Sequence, residues 1–104
     1  MWCKDAKAAL FNDLTDDEAE TWLARLQHQP ASGWGDKITY VGWKDIPSVY
    51  LCAERDALLP SSIQLQMAGM AGSQVETCNS GHMVMLSQPE KVVEVIKKAA
   101  GEVI

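Results

Sequence analysis

The sequence predicts an α/β fold in which two parallel strands are joined by a crossover helix. A terminal helix follows them and a helical segment precedes them. Residues Val49–Ala53 form a continuous apolar run, as expected for a parallel strand covered on both faces. Residues Gln74–Cys78 alternate in polarity, which is typical of a strand nearer a sheet edge. Because a helical pattern separates the two runs, the strands should pair in parallel with a right-handed crossover.

Length and charge limit the classes of function that the chain can have. Its 104 residues and 11.4 kDa allow at most one domain. The net charge is −5, and no basic cluster interrupts the acidic composition, so we expect neither a nucleic-acid partner nor an anionic membrane. No apolar run approaches the roughly 20 residues of a membrane span. The polar start at Met1 does not resemble a signal peptide.

The cysteines indicate a reducing compartment. Cys3, Cys52 and Cys78 cannot all pair, and none belongs to a CxxC motif. With only two histidines in the chain, a zinc site is not expected. Cys52 and Cys78 fall within apolar runs, where a free thiol behaves as a small buried hydrophobe. We therefore predict a cytoplasmic location.

Residues 1–45 are predicted to form a helical segment of their own. Residues 4–10 could form a short helix. Thr15 and Glu18 have the spacing of a capping box, which should begin a second helix that Pro30 and Gly33 stop. Residues 38–41 could be a strand or an extended crossing segment. One apolar face of the second helix comprises Ala19, Trp22, Leu23 and Leu26.

Residues 46–104 are predicted to form a strand–helix–strand–helix unit. Pro60 suits the first turn of the crossover helix, and Gly72 should terminate that helix. Ser87 and Glu90 have capping-box spacing before the last helix, which should end at Gly101. The buried stripe of the crossover helix should be Ile63, Met67, Met70 and Ala71. That of the last helix should be Val92, Val93, Ile96, Ala99 and Ala100.

Asp56 and His82 each lie just beyond the carboxyl end of a predicted strand. Ligands and chemistry collect at this edge of open α/β sheets, and neighbouring strands lie roughly 4.8 Å apart. An aspartate beside an imidazole holds one tautomer and stabilises the imidazolium that forms when the ring accepts a proton. Two plainer interpretations stay open. Asp56 could be a turn or capping residue, and His82 could be a surface residue on a glycine turn.

Two segments carry a resemblance to a known family. Residues 47–60 read PSVYLCAERDALLP, and residues 80–89 read SGHMVMLSQP. They resemble the acid-bearing strand and the histidine segment of α/β-hydrolases, in particular the group with plant methylesterases, hydroxynitrile lyases and their microbial relatives. Residues 11–14 and the helix after them are similar to that family's lid. The resemblance implies that residues 1–45 derive from the lid and residues 46–104 from the C-terminal core, with Asp56 as triad acid and His82 as general base.

Met83 separates the subgroups of this family. Hydroxynitrile lyases of the group carry lysine immediately after the histidine, whereas here methionine follows His82, as in the esterases. The resemblance therefore implies hydrolysis of a small-molecule carboxylic ester, with cyanohydrin cleavage as a weaker alternative. It implies no metal or organic cofactor, because triad chemistry needs none. The expected substrate pocket comprises Trp22, Leu23, Leu26 and Met83. Trp34 or Trp43 could also line it, or both could be hydrophobic anchors in a loop-rich region.

The chain contains no G-x-S-x-G motif around any of its serines. An α/β-hydrolase carries its nucleophile in such a turn between a strand and a helix. We therefore expect the serine nucleophile to lie outside these 104 residues and the chain alone to be inactive. The alternative is a non-catalytic module that oligomerises or binds a partner through its open sheet edge.

Overall fold

The structure is a computed structural model, and it describes residues 1–103. Two short helices come first, followed by a long irregular segment, and a strand–helix–strand unit then leads to two final helices. The helices are α1 (Ala6–Leu10), α2 (Asp16–Leu23), α3 (Ser61–Ala71), α4 (Val84–Ser87) and α5 (Pro89–Val103), and the strands are β1 (Val49–Ala53) and β2 (Gln74–Cys78). No helix of this described part is long and apolar enough to cross a membrane.

Strands β1 and β2 pair in parallel, as the sequence predicts. The register runs from Val49 opposite Gln74 to Ala53 opposite Cys78. Cys52, Ala53 and Cys78 are buried, so the prediction of two buried thiols is also confirmed. Because the carboxyl ends of both strands lie at one edge, the loops that follow them are neighbours.

Helix α3 connects the strands, but it buries a different face from the predicted one. Pro60 precedes it and Gly72 ends it in a left-handed conformation (φ 67°), as expected. The buried residues are Gln64 and Ala68. Ile63, Met67 and Met70 are 40%, 41% and 81% exposed, so the predicted stripe is wrong. The apolar residues of this helix are distributed around its axis and do not define one face. The hydrogen bonds of Gln64 to Ala53 select the face that is turned towards β1.

Helix α5 also departs from the prediction. It begins at Pro89, and Ser87 is not its cap, because Ser87 ends α4 and its hydroxyl donates to the Met83 carbonyl at 3.5 Å. The helix continues through Gly101 to Val103. Val95 is buried, whereas Val93 and Ile96 are 49% and 62% exposed. The inward face is therefore narrower than the apolar pattern suggests.

The N-terminal helices build a core that residues of the C-terminal half complete. Its buried members are Ala6, Leu10, Phe11 and Ala19, and partly buried side chains that pack against them are Cys3, Leu14, Trp22, Leu23, Leu26, Met83 and Leu86. Met83 and Leu86 follow His82 in sequence, so this core attaches the N-terminal helices to the histidine segment.

Helix α2 begins as predicted but ends early. The Thr15 hydroxyl accepts a bond from the Glu18 amide at 3.3 Å and donates to the Glu18 carboxylate at 2.9 Å. The helix ends at Leu23, seven residues before Pro30, so the predicted end is wrong. Tighter backbone bonds, from Leu26 to Leu23 for example, replace the helical pattern there. Residues 38–41 contain no regular strand, and Gly42–Lys44 forms one 3₁₀ turn.

Candidate active site

Asp56 is held by the loop that leaves β1. One carboxylate oxygen, Oδ1, accepts hydrogen bonds from the backbone amides of Leu58 and Leu59 at 2.8 and 2.9 Å. An aspartate that binds amides two and three residues ahead closes a turn on itself. The turn interpretation of Asp56 is therefore correct as geometry. It uses only one of the two carboxylate oxygens, so it does not compete with a second role.

The other oxygen of Asp56 binds His82. The Nδ1 atom of His82 lies 2.8 Å from Oδ2 of Asp56. The side chain of Asp56 is 5% exposed, whereas that of His82 is 31% exposed. The acid is thus enclosed behind the imidazole, and one side of the imidazole is open. The two residues that the sequence places at neighbouring strand ends are in direct contact.

The surroundings of Asp56 favour its ionised form. Burial by itself would raise the pKa of Asp56, but the Leu59 amide, the His82 ring and the Leu58 amide together lower the pKa below its ordinary value. An ionised carboxylate accepts hydrogen bonds and cannot donate them. The Nδ1–H group of His82 therefore donates to Asp56, and Nε2 is the acceptor of the neutral ring. This is the tautomer that a general base requires.

His82 borders an apolar cavity of about 490 Å³, within the size range of small-molecule sites. Trp2, Leu10 and Leu58 line the same cavity. Of the pocket residues predicted from the sequence, Leu26 and Met83 belong to the lining. Trp34 does as well, although most of its side chain is exposed.

The other two predicted pocket residues lie elsewhere. Trp22 and Leu23 pack against the buried core of α1 and α2. The guanidinium of Arg25 covers the Trp22 ring at 4.7 Å from its centroid. Trp43 lines a separate groove beside the start of β1, together with Tyr50, Met67 and Met70. The structure therefore distinguishes Trp34 from Trp43, which the sequence could not do.

Three polar residues near the site were not assigned a role from the sequence. Asn12 and Asp13 bind the backbone just before Asp56 and His82, and nothing in their spacing indicates contacts with residues so distant in the chain. Gln64 is a polar residue within an apolar helix and is only 2% exposed. That mismatch was a usable signal, because a buried amide must find hydrogen-bond partners.

The arrangement defines a class of site. An acid and a histidine follow consecutive parallel strands at their carboxyl ends, in the chain order of hydrolases with an α/β sheet. Among the side chains that the structure describes, no three histidine, cysteine or acidic groups are clustered as metal ligands would be.

Comparison with known proteins agrees with this class. The chain belongs to the alpha/beta hydrolase family, whose family model matches residues 2–95. It is 36% identical over 97 residues to "Alpha/beta hydrolase nvfD" of Aspergillus novofumigatus, covering 91% of this chain and 39% of that protein. It is 29% identical over 99 residues to "Probable hydrolase R7" of Phoma sp., covering 89% of this chain and 41% of that protein.

The chain thus spans about two fifths of the length of the curated relatives that it matches. No solved structure gives a significant match.

Proposed function

We propose that this chain carries the acid and the base of a hydrolase that cleaves a carboxylic ester. Asp56 is the triad acid and His82 the general base in this proposal. One observation carries it: the 2.8 Å contact between His82 Nδ1 and Asp56 Oδ2. The contact lies at the carboxyl ends of the parallel strands, and His82 also borders an apolar cavity. A purely structural contact between Asp56 and His82 would not require a cavity beside His82.

The chemistry follows from the tautomer. A serine outside these residues attacks the ester carbonyl, and His82 Nε2 accepts the serine proton. Asp56 stabilises the imidazolium while the tetrahedral intermediate forms. His82 then returns the proton to the alcohol that leaves, and the resulting acyl-enzyme is hydrolysed by water in the same way. The oxyanion hole must come from the part of the enzyme that holds the serine.

The cavity supports an apolar acyl or aromatic group as the part of the substrate that is recognised. Its lining from Trp2, Leu26, Leu58 and Met83 offers apolar contacts beside His82. Residues 1–45 act as a lid in this proposal, since Leu26 and Trp34 reach the cavity from that segment. Residue 83 is methionine, whereas hydroxynitrile lyases of the group have lysine at this position, and this difference favours an esterase. The buried thiols Cys52 and Cys78 support a cytoplasmic location.

A second candidate is a non-catalytic module that associates through its sheet edge. The backbone bonds at Ser48 and Glu54 point towards β2. In a parallel ladder the direction of the backbone groups alternates along the strand. The N–H and C=O groups of Val49 and Leu51 therefore point to the edge of β1 away from β2. Within the described residues the sheet has only two strands, and exposed edges of this kind pair readily. Sedimentation of the purified chain tests this candidate. A discrete dimer supports it, and a monomer excludes self-association.

The first test of the hydrolase is the native transcript. We expect an in-frame region that encodes a strand followed by G-x-S-x-G upstream of Met1. Its product should hydrolyse p-nitrophenyl esters, and His82→Ala should reduce kcat by about a thousandfold or more. Asp56→Asn should also lower kcat strongly, whereas its matched control Asp36→Asn, at an exposed loop residue, should leave kcat unchanged. A stop codon close upstream, or a His82→Ala enzyme with near-normal turnover, would refute the proposal.

A further inference from the structure

A short turn between α1 and α2 contacts both loops of the candidate site. The turn comprises residues 11–14, and the Leu14 amide closes it by donating to the Phe11 carbonyl at 3.2 Å. Phe11 is buried in the N-terminal core, and Leu14 packs against that core. The two central residues, Asn12 and Asp13, are thereby held on a fixed support and project away from it.

Each central residue binds the residue immediately before one member of the Asp56–His82 pair. The Asn12 Nδ2 group donates to the Arg55 carbonyl at 2.8 Å. The Asp13 carboxylate accepts a bond from the Gly81 amide at 2.7 Å through Oδ2. Two adjacent side chains thus fix the backbone on the approach to the acid and on the approach to the base.

The same two loops are also joined directly. The Arg55 amide donates to the Ser80 carbonyl at 2.9 Å. The Arg55 guanidinium donates from Nε to the Asn79 side chain at 2.7 Å. The two loops are therefore already joined by hydrogen bonds of their own. The 11–14 turn, which belongs to neither strand nor loop of the sheet, adds further hydrogen bonds to both.

The space at Gly81 holds no side chain unless Asn12 and Asp13 move. A Cβ atom placed on Gly81 would lie 2.7 Å from Asp13 Oδ1 and would also clash with the Asn12 side chain. Gly81 is not among the glycines with positive φ, so the requirement for glycine is steric. The side chains of the 11–14 turn thus occupy the space that a Cβ atom before His82 would need.

The Asp13 carboxylate uses only one of its two oxygens in this contact. Asp13 Oδ1 is buried, and no hydrogen-bond partner for it is found among the described residues. A buried carboxylate oxygen without a partner costs free energy.

We infer that Asn12 and Asp13 are positioning residues that set the separation and orientation of Asp56 and His82. This inference rests on the proposed function for its catalytic consequence. Its structural content is independent, because it concerns the hydrogen bond between His82 Nδ1 and Asp56, which exists whether or not the enzyme turns over. Neither side chain touches the reacting atoms, so both act through the backbone of Arg55 and Gly81.

The test is made on this chain by NMR of ¹⁵N-labelled histidine. A long-range ¹H–¹⁵N spectrum reports which imidazole nitrogen of His82 carries the proton and whether it is protected from exchange. In the wild type we expect a protected Nδ1–H group. Asp13→Ala should abolish that protected signal while circular dichroism shows a folded chain. Asp13→Asn keeps an acceptor for the Gly81 amide and should restore the signal.

Ser73→Ala is the matched control. The Ser73 hydroxyl binds that of Ser48 at 2.7 Å before the starts of the two strands, at the end of the sheet opposite the site. The substitution removes one side-chain hydrogen bond between the segments that precede the two strands, and the His82 signal should persist. If Asp13→Ala does not fold, Asn12→Ala at an exposed position decides by the same readout. A protected signal that survives the removal of either side chain, or that disappears in Ser73→Ala, would overturn the inference.

A kinetic arm uses the native hydrolase that contains these residues. Asp13→Ala should lower kcat by about 10- to 100-fold, since small misplacement of a catalytic group has effects of this size. KM should change by less than about threefold, because the cavity is not altered. If His82→Ala retained activity, the proposed function would fail, and the NMR result would still decide whether the turn positions the pair.

Discussion

Gln64 binds both backbone groups of Ala53. Its side-chain oxygen accepts from the Ala53 amide at 2.9 Å, and its nitrogen donates to the Ala53 carbonyl at 2.9 Å. The same nitrogen donates to the Leu59 carbonyl at 2.8 Å. The amide thus takes the place of a neighbouring strand at the last residue of β1. It also closes the loop that contains Asp56, since Ala53 and Leu59 lie on either side of that residue.

Gln64→Ala should therefore destabilise the chain by about 2 to 4 kcal/mol, because it leaves buried backbone groups without partners. Urea unfolding followed by circular dichroism measures the free energy. Gln66→Ala on the same helix is the matched control. Gln66 is exposed, so its replacement should change the free energy by less than about 0.5 kcal/mol. Equal effects of the two substitutions would show that the hydrogen bonds of Gln64 contribute little.

The ionised state of Asp56 predicts a pH dependence of stability. Its pKa in the folded chain is lowered below the ordinary value of 3.8. The unfolded chain therefore binds more protons in this range, and stability rises with pH. The contribution of Asp56 is complete above that ordinary value and is lost as the pH falls through the folded-state pKa. We expect the unfolding free energy of wild type to fall more steeply from about pH 5 to about pH 2 than that of Asp56→Asn.

Glu76→Gln is the control for this experiment. The Lys98 ammonium, at 2.7 Å, lowers the pKa of Glu76 in the same direction. The side chains of Lys98 and Glu76 are 57% and 26% exposed, and ion pairs that are open to solvent contribute little. The substitution should flatten the pH dependence less than Asp56→Asn does. The reverse order would mean that the surface pair, and not the pair at the site, governs acid sensitivity.

Two glycines should respond to alanine in opposite ways. Gly81→Ala should destabilise the chain by about 1 to 3 kcal/mol, because its Cβ would collide with Asn12 and Asp13. Gly69 lies within α3, and no heavy atom stands within 4 Å of a Cβ placed there. Gly69→Ala should therefore stabilise the chain by about 0.5 to 1 kcal/mol. Thermal unfolding of both variants measures the contrast, which would be absent if the 11–14 turn moved freely.

Two tryptophans offer a matched test of the cavity in the native hydrolase. Trp34 lines the cavity beside His82, and Trp43 lines a different groove. Trp34→Ala should raise KM for a p-nitrophenyl ester with a bulky apolar acyl group by roughly tenfold, the usual effect of lost apolar contact in a pocket. Trp43→Ala should leave KM within about twofold. A similar response to both substitutions would mean that the cavity does not bind the substrate.

Much of the local structure could be read from the sequence. The apolar run of β1, the alternation in β2, the Thr15 cap and the Gly72 terminator each depend on interactions within a few residues. The structure contains all four at the expected positions. The same local rules failed where two outcomes were close in free energy. Apolar residues are distributed around helix α3, and only contact with β1 selected the face containing Gln64 over the one containing Met67.

The candidate site shows the same division. The sequence by itself determined that Asp56 and His82 follow parallel strands, and strand geometry made their proximity predictable. Only the tertiary structure decided that Leu26, Trp34 and Met83 line the cavity that His82 borders and that Trp22 does not. It alone brought Asn12 and Asp13 to the two loops. The physical reason is range: hydrogen-bonded periodicity is local, whereas these contacts join residues 43 and 68 positions apart, and their geometry depends on how the whole core packs.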